Sequence, residues 1–418
     1  MRFEVPKAGS LATWLWVPLL ALIAMPVPFL LPGYPLPERA VPIMWLILAG
    51  AVALFLRVAE ASWPLAALLA WALARSAYNS FPVRSSQLLL LTTLVAVLYV
   101  AARQMPSRVA RVAAWALVAG VLYEGVFGFL NIAFKWYPFM TIVLADHVGR
   151  PMAFLTHPNY WGSFMALGMP VVWALLGPLA ALPIYAMILW SWSAGPAISA
   201  SAGLLVLVWP DLSARLRAAT LGGIGAALVT VMSVHEWRLS GRWEVWASVL
   251  PELKRYWVIG QGLGDWRVWA DNLNLKMSQA AGGPVVFATL QAHNEPLQLW
   301  FELGLVGVVL AGLILWQAGQ AARGAWANCP PGSALAWRWG RMPLERAWLA
   351  VLAVGLTNSL GSPTFHLPAQ AAFVLFALAR VQAAAASVPI VPLAVPSNGP
   401  HQARAERRRT AMAPTGRL

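Results

Sequence analysis

The sequence QAHNEPLQLWFELG, residues 291–304, joins a long polar segment to a strongly apolar helix. Asn294 is a good helix N-cap, and Pro296 is tolerated in the first turn, where a backbone N–H has no helical partner. We therefore expect His293 just ahead of a helix N-terminus at the membrane surface. The partial positive charge of that terminus keeps an imidazole neutral near pH 7 and attracts an anion. His293 is thus a candidate general base.

The composition is that of a polytopic membrane protein. The chain is 60% hydrophobic and 11% charged, with 24 Trp, and apolar runs of membrane-spanning length recur along it. Its one cysteine, Cys329, excludes an internal disulfide framework and a cysteine-based metal cluster. The net charge of +14 is explained first by basic cytoplasmic loops, so we expect membrane lipids and no nucleic acid among the partners.

The apolar runs predict an all-α fold with about twelve transmembrane helices and both termini in the cytoplasm. Most basic residues outside the longest loop then lie on the cytoplasmic side, as the positive-inside rule requires. We expect one transmembrane helical domain, 1–386, and a disordered, basic, Pro-rich cytoplasmic tail, 387–418. The spans are placed at about 13–33, 40–57, 61–74, 86–102, 109–131, 159–177, 179–194, 197–210, 217–234, 303–319, 346–361 and 366–386.

The stretch 159–210 is predicted to form three short helices, because its two ends must lie on opposite sides of the membrane. Proline breaks or ends helices, since it lacks the N–H and clashes with the preceding turn. The breaks are assigned to Pro170, Pro178, Pro183, Pro196 and Pro210.

A single long extracytoplasmic loop, 235–302, is expected between helices 9 and 10. Trp243, Trp246, Leu250 and Leu253 follow helical spacing within it. This pattern predicts an amphipathic helix that lies on the bilayer and is interrupted near Pro251.

Three segments, in this order, resemble the O-antigen ligase and O-antigen polymerase superfamily of membrane glycosyltransferases. The first is RPMAFLTHPN at 150–159, and the second is SGRW at 240–243 followed by GQGLG at 260–264. The third is the His293–Asn294 stretch. A long outer loop between a ninth and a tenth helix is also similar to that family, and the resemblance covers roughly residues 145–320.

The resemblance implies a polyprenyl-diphosphate-linked glycan donor and a periplasmic active site on the bacterial inner membrane. The acceptor would be a hydroxyl of lipid A core sugars, of another glycan, or of a protein. His293 would take the acceptor proton, Arg242 and Arg150 would hold the donor diphosphate, and no metal or cofactor would be needed. One difference is that the family often has a Ser-Arg-Gly turn where this chain has Ser193-Ala194-Gly195.

The residues themselves support a diphosphate site in the long loop. Planar guanidinium groups bind phosphate oxygens through two parallel hydrogen bonds. The loop supplies the cations Arg242, Lys254, Arg255, Arg267 and Lys276. The run Gly260-Gln261-Gly262-Leu263-Gly264 lacks the strand and helix of a nucleotide site, so we expect a tight turn that brings the backbone near the membrane or the donor.

Other side chains are candidates for supporting roles. Glu124 lies inside the fifth span, where a carboxyl is costly and often functional; it would bind an acceptor sugar, pair with a loop arginine, or be protonated and structural. Asn294 is expected to support His293, and Trp243 and Trp266 are candidates for stacking on sugars. His157 and His366 follow no base motif and are predicted to be uninvolved.

The favoured function is an inverting, metal-independent glycosyltransferase of the O-antigen ligase type with lipid A core as acceptor. A polymerase and a protein O-oligosaccharyltransferase are the alternatives within the family. A glycolipid or ion transporter without catalysis is the alternative from another class. Charges gathered in one outer loop, rather than spread through helices at the membrane midplane, favour the enzyme.

Overall fold

The computed structural model describes residues 62–77, 96–137, 148–155, 157–223, 242–283, 291–327 and 343–386. These residues form helices, turns and connections, with no strand among them, which confirms the all-α prediction for this part of the chain. The helices are α1 (Trp63–Ala77), α2 (96–104), α3 (Ser107–Phe134), α4 (Pro158–Leu176), α5 (Pro178–Trp190), α6 (Ala194–Val208), α7 (214–223), α8 (Arg242–Tyr256), α9 (Asp265–Ala281), α10 (Glu295–Ala327), α11 (Leu344–Ser359) and α12 (Pro368–Ala386).

Three of the described helices are long and apolar enough to cross a membrane: α3, α10 over Glu295–Trp326, and α12 over Ala369–Ala386. The predicted spans 13–33 and 40–57 and the tail 387–418 lie outside the described residues. The count of about twelve spans therefore stays a prediction.

The stretch 159–210 forms three helices, α4, α5 and α6, as predicted. Pro178 begins α5 directly after Gly177, whose φ of 90° ends α4. Two of the proposed breaks are wrong, because Pro170 and Pro183 lie inside α4 and α5. Each helix continues through its proline, at the loss of one backbone hydrogen bond.

The apolar core lies where α3, α4, α6, α11 and α12 pack together. Its largest side chains include Trp161 and Phe164 of α4 and Phe373 and Phe376 of α12, all of which are buried. α4 contacts α3, α5, α6 and α11, so its N-terminus is fixed from several sides. This N-terminus carries the first sequence motif.

The described parts of the long loop, 242–283 and 291–302, fold as α8, α9 and the start of α10, which pack together. Val245, Val249 and Leu253 of α8 pack with Trp266 of α9 and Phe301 of α10. The predicted break near Pro251 is wrong, because α8 runs through it. Leu253, predicted to face the bilayer, packs inward instead.

The outward side of this region carries an apolar stripe of Trp243, Leu250 and Trp257, spaced seven residues apart. Trp243 and Leu250 belong to the predicted bilayer face, whereas Leu253 is turned into the protein core. Two positions of that predicted face therefore remain available to a lipid surface.

The glycine run pairs with a break in α10 at Gly304, where φ is 68° and ψ is −169°. The N–H of Gln261 donates to the Phe301 carbonyl (2.8 Å), and the N–H of Leu305 donates to the Trp257 carbonyl (2.8 Å). The close approach predicted for the glycines is therefore made to another segment of this chain. Segment 257–262 thus supplies hydrogen-bond partners for the backbone N–H and carbonyl groups that have no helical partner at the break in α10.

Candidate functional site

His293 lies immediately before α10 with its backbone in the left-handed region, at a φ of 51°. Asn294 caps the helix as the sequence predicts, because its Oδ1 accepts a hydrogen bond from the N–H of Leu297 at 2.9 Å. A positive φ is uncommon outside glycine and costs about 1–3 kcal/mol at a non-glycine residue. The helix cap therefore adjoins a strained residue.

The residue before His293 is held through both of its backbone polar groups. The N–H of Ala292 donates to Gln298 Oε1 on α10 at 2.9 Å, and its carbonyl accepts from Trp246 Nε1 on α8 at 2.8 Å. Such strain persists only where surrounding contacts fix the backbone, and it is concentrated at functional sites. Here the contacts on both sides of His293 fix it.

The His293 side chain is 8% exposed, and its buried Nδ1 has no hydrogen-bond partner among the described residues. Burial, followed by the nearby charges of Arg242 and His157, lowers the pKa of His293 to about 3. The imidazole is therefore neutral at physiological pH. A neutral imidazole keeps one unprotonated ring nitrogen, which becomes an effective proton acceptor once the charge of a bound anion raises this low pKa.

Arg242 opens α8 and is fixed beside the His293 segment by the connection between α11 and α12. Its Nη1 donates to the Gly361 carbonyl at 3.0 Å. The adjacent carbonyl, of Leu360, accepts from Asn294 Nδ2 at 3.4 Å. Because neighbouring carbonyls bind Arg242 and Asn294, the guanidinium and the imidazole belong to one site. Burial lowers the pKa of Arg242, but a guanidinium remains protonated at physiological pH.

His157, predicted to be uninvolved, is close enough to contribute to the lowered pKa of His293. It is the N-cap of α4, and its Nδ1 accepts from the N–H of Asn159 at 3.1 Å. This bond places the proton of the neutral ring on Nε2. The ring lies against Tyr160 with 4.8 Å between centroids, and the Tyr160 hydroxyl donates to Gln291 Oε1 at 3.0 Å. The first and third motifs therefore meet.

Arg150, predicted to bind diphosphate, uses its guanidinium to hold the turn between α5 and α6. Its Nε and Nη2 both donate to the Ser191 carbonyl, at 2.9 and 2.7 Å. Ser193, in the same turn, donates from Oγ to Asn159 Oδ1 at 2.5 Å. Arg150 is thus linked through this turn to the N-terminus of α4. The turn is the one that lacks the arginine common in the resembling family.

Comparisons of the chain with protein-family models and with curated protein sequences find no match. The described residues also contain no group of three or more His, Cys, Asp or Glu side chains placed to hold a metal ion.

Glu124 is completely buried in α3, within a helix long enough to span a membrane. Its carboxylate lies near the backbone amide of Phe154, but neither oxygen has a hydrogen-bond partner among the described side chains and backbone groups. The neighbouring α4 contacts it through Trp161, whose Nε1 donates to the Glu124 carbonyl at 3.1 Å. No described arginine pairs with Glu124, which removes one of its three predicted roles within this part of the chain.

The two candidate sugar-binding tryptophans have different environments. Trp266 is completely buried and packs edge-on against Phe301, with 5.3 Å between ring centroids, so its prediction as a sugar platform is wrong. Trp243 is 65% exposed and remains available. The basic residues Lys254, Arg255 and Lys276 are exposed on α8 and α9, whereas Arg242 is partly buried beside His293.

Sequence reasoning did not single out Tyr160 or Gln291, and it set His157 and His366 aside as uninvolved. Tyr160 directly follows the first motif, and Gln291 precedes His293 by two residues. Position beside a motif was the available signal for both. His366 has no such signal, since it lies far along the chain and meets the site only through the fold.

Proposed function

We propose that this protein is an inverting, metal-independent glycosyltransferase of the O-antigen ligase type. It would move a glycan from a polyprenyl-diphosphate carrier to an acceptor hydroxyl, with lipid A core favoured, at the periplasmic face of the inner membrane. The observation that carries this proposal is the buried, neutral His293 imidazole, with its unpartnered Nδ1, beside the Arg242 guanidinium. Helices of membrane-spanning length in the same chain support a lipid-linked substrate.

In the proposed reaction, the acceptor oxygen attacks the anomeric carbon while its proton passes to His293. The bond between that carbon and the diphosphate oxygen breaks, and the diphosphate leaves with the electron pair from the opposite face. One displacement inverts the configuration. Arg242 meets the charge of the leaving diphosphate through paired N–H donors.

The donor would also activate its own base. Without it, burial and the Arg242 charge make His293 a weak proton acceptor. A diphosphate bound to Arg242 would bring negative charge beside the imidazole and raise its pKa. Donor binding would therefore precede proton transfer.

Arg150 would act on the donor from the turn that it holds. Its guanidinium contacts Ser191 and Ser193, and Ser193 in turn donates to Asn159 at the N-terminus of α4. The helix N-terminus adds a partial positive charge that favours an anion. Two arginines and a helix terminus together would bind the diphosphate.

The test is transfer from a synthetic undecaprenyl-diphosphate oligosaccharide to lipid A core oligosaccharide by purified protein in EDTA. We expect transfer by the wild type, and His293→Ala should lower the rate about a hundredfold to ten-thousandfold, the usual contribution of general base catalysis. His293→Ala should still bind undecaprenyl diphosphate, because Arg242 remains. Transfer by His293→Ala at the wild-type rate, or transfer only after a divalent ion is added, would contradict the proposal.

A further inference from the structure

The connection between α11 and α12, residues 360–367, is attached to α10 through Glu295. Glu295 Oε1 accepts from the backbone N–H groups of Phe365 and His366, at 2.6 and 3.2 Å. Glu295 Oε2 lies 2.8 Å from His366 Nδ1. One carboxylate thus binds both the backbone and the side chain of the connection.

A second carboxylate reaches the other side of the same ring. Glu302, two turns along α10 from Glu295, places Oε2 3.6 Å from His366 Nε2. Its Oε1 accepts from Gln298 Nε2 at 3.0 Å. Both carboxyl side chains are almost completely buried, and the His366 ring lies within 4 Å of each.

His366 Nδ1 is within hydrogen-bond distance of Glu295, and its Nε2 is at ion-pair distance from Glu302. The imidazolium, which carries an N–H on both ring nitrogens, suits both contacts. Burial alone would lower the pKa of His366, but the charges and hydrogen bonds of Glu295 and Glu302 outweigh it and raise the pKa well above its ordinary value. The other charged or titratable groups nearby are Arg242 of α8, attached to Gly361, and Tyr160 of α4, whose carbonyl accepts from Gln370 of α12. No acidic residue of α8 or α4 has a described contact with the connection.

The connection that His366 holds also orients the candidate site. Its Gly361 carbonyl binds Arg242, and its Leu360 carbonyl binds Asn294 beside His293. We infer that His366, as a cation between Glu295 and Glu302, is a positioning residue that fixes the 360–367 connection on α10 and thereby sets Arg242 for diphosphate binding. That His366 fixes the 360–367 connection rests on the contacts alone. That it thereby affects diphosphate binding rests on the proposed function.

The structural part is tested by thermal unfolding of the detergent-solubilised protein between pH 6 and 10. A raised folded-state pKa gives stability that is fully present below the unfolded pKa of about 6.5 and is lost as pH rises through the folded value. The wild type should therefore lose thermal stability toward pH 10, and His366→Gln should lose less over that range. His401→Gln, in the predicted tail, is the matched control and should follow the wild type. A His366→Gln profile parallel to the wild type would overturn the inference.

The functional part is tested with undecaprenyl diphosphate binding and with transfer kinetics from its oligosaccharide derivative. His366→Gln should weaken binding and raise the donor KM about tenfold or more, since small displacements of positioning groups have effects up to a hundredfold. The transfer rate of the wild type should fall at high pH, which gives its pH profile a basic limb. His366→Lys should move that limb to higher pH, because lysine holds its proton to about 10.4.

Failure of the proposed function and failure of the role inferred for His366 would give different results. Wild-type protein that neither binds undecaprenyl diphosphate nor transfers glycan would contradict the proposed function, while the unfolding profiles would still test the contacts. A basic limb at the same pH in wild type and His366→Lys would overturn the role of His366 in setting Arg242.

Discussion

His293 combines a left-handed backbone, a buried imidazole and a ring nitrogen that no described group uses. Each property has a cost, and hydrogen bonds at Ala292 and Asn294 hold the residue in place. The sequence indicates the neutral imidazole through the helix N-terminus. Burial, which lowers the pKa of His293 most, has no sequence signature near residue 293.

The pKa of about 3 for His293 determines the expected pH dependence of catalysis. The quotient kcat/KM for the donor reports groups of the free enzyme, so it should show no acid limb from His293 between pH 5 and 8. The constant kcat reports the complex, where the diphosphate raises the His293 pKa, so its acid limb should appear at higher pH. Initial rates across this range check both expectations. An acid limb near pH 6.5 in kcat/KM that His293→Ala removes would contradict them.

Arg242 is predicted to need its planar fork as well as its charge. Arg242→Lys keeps the charge but loses paired donors, and a hydrogen bond to a charged group contributes about 1.5–3 kcal/mol, so transfer should fall about tenfold or more. Arg217→Lys is the matched control, because Arg217 also donates to backbone carbonyls, those of Trp209 and Pro210, away from His293. Equal transfer rates for the two variants would remove Arg242 from the donor site.

At the scale of helices, local sequence signals were sufficient to predict some structural features. The cap at Asn294, the three helices between 159 and 210, and the all-α class follow from residue type and spacing. The inward face of α8 and the role of the glycine run do not follow from local sequence. Both depend on packing against α10, which is distant from them in the chain. His366 was set aside for the same reason: its partners are distant in sequence.

The break in α10 gives a prediction with a control on the same helix. Gly304→Ala should lower the free energy of unfolding by about 1–3 kcal/mol or more, because its φ and ψ are essentially restricted to glycine. Gly312→Ala, where an added Cβ meets nothing within 4 Å, should stabilise α10 by about 0.5–1 kcal/mol. Thermal unfolding of both variants measures this. Similar midpoints would show that the break carries no strain.

At the scale of the whole molecule, an apolar helical core carries a more polar cover made of α8, α9 and the start of α10. The candidate base, its arginine and the exposed Trp243 all belong to this cover or its border. α10 begins there and continues as a helix of membrane-spanning length, so its two ends are expected on opposite sides of a membrane.

Reporter fusions test that orientation. A fusion after Gly282 should report export, because the loop is predicted to face the periplasm, and a fusion after Ala327 should report the cytoplasm. The same compartment at both positions would rule out α10 as a span. Exchanged compartments would instead place the candidate site in the cytoplasm.

The pairing of Gly260 with Gly304 limits which substitutions the protein can accept at these two positions during evolution. A Cβ on Gly260 would lie 2.4 Å from the Glu302 carbonyl oxygen, and one on Gly304 would lie 2.2 Å from that of Val258. Both clashes are with main chain, so trimming a neighbouring side chain relieves neither, and a second substitution at the paired glycine does not rescue the first. Sequence drift at either position is therefore blocked unless segment 257–262 and the break in α10 are replaced together. We therefore expect the loop and the helix break to change only together.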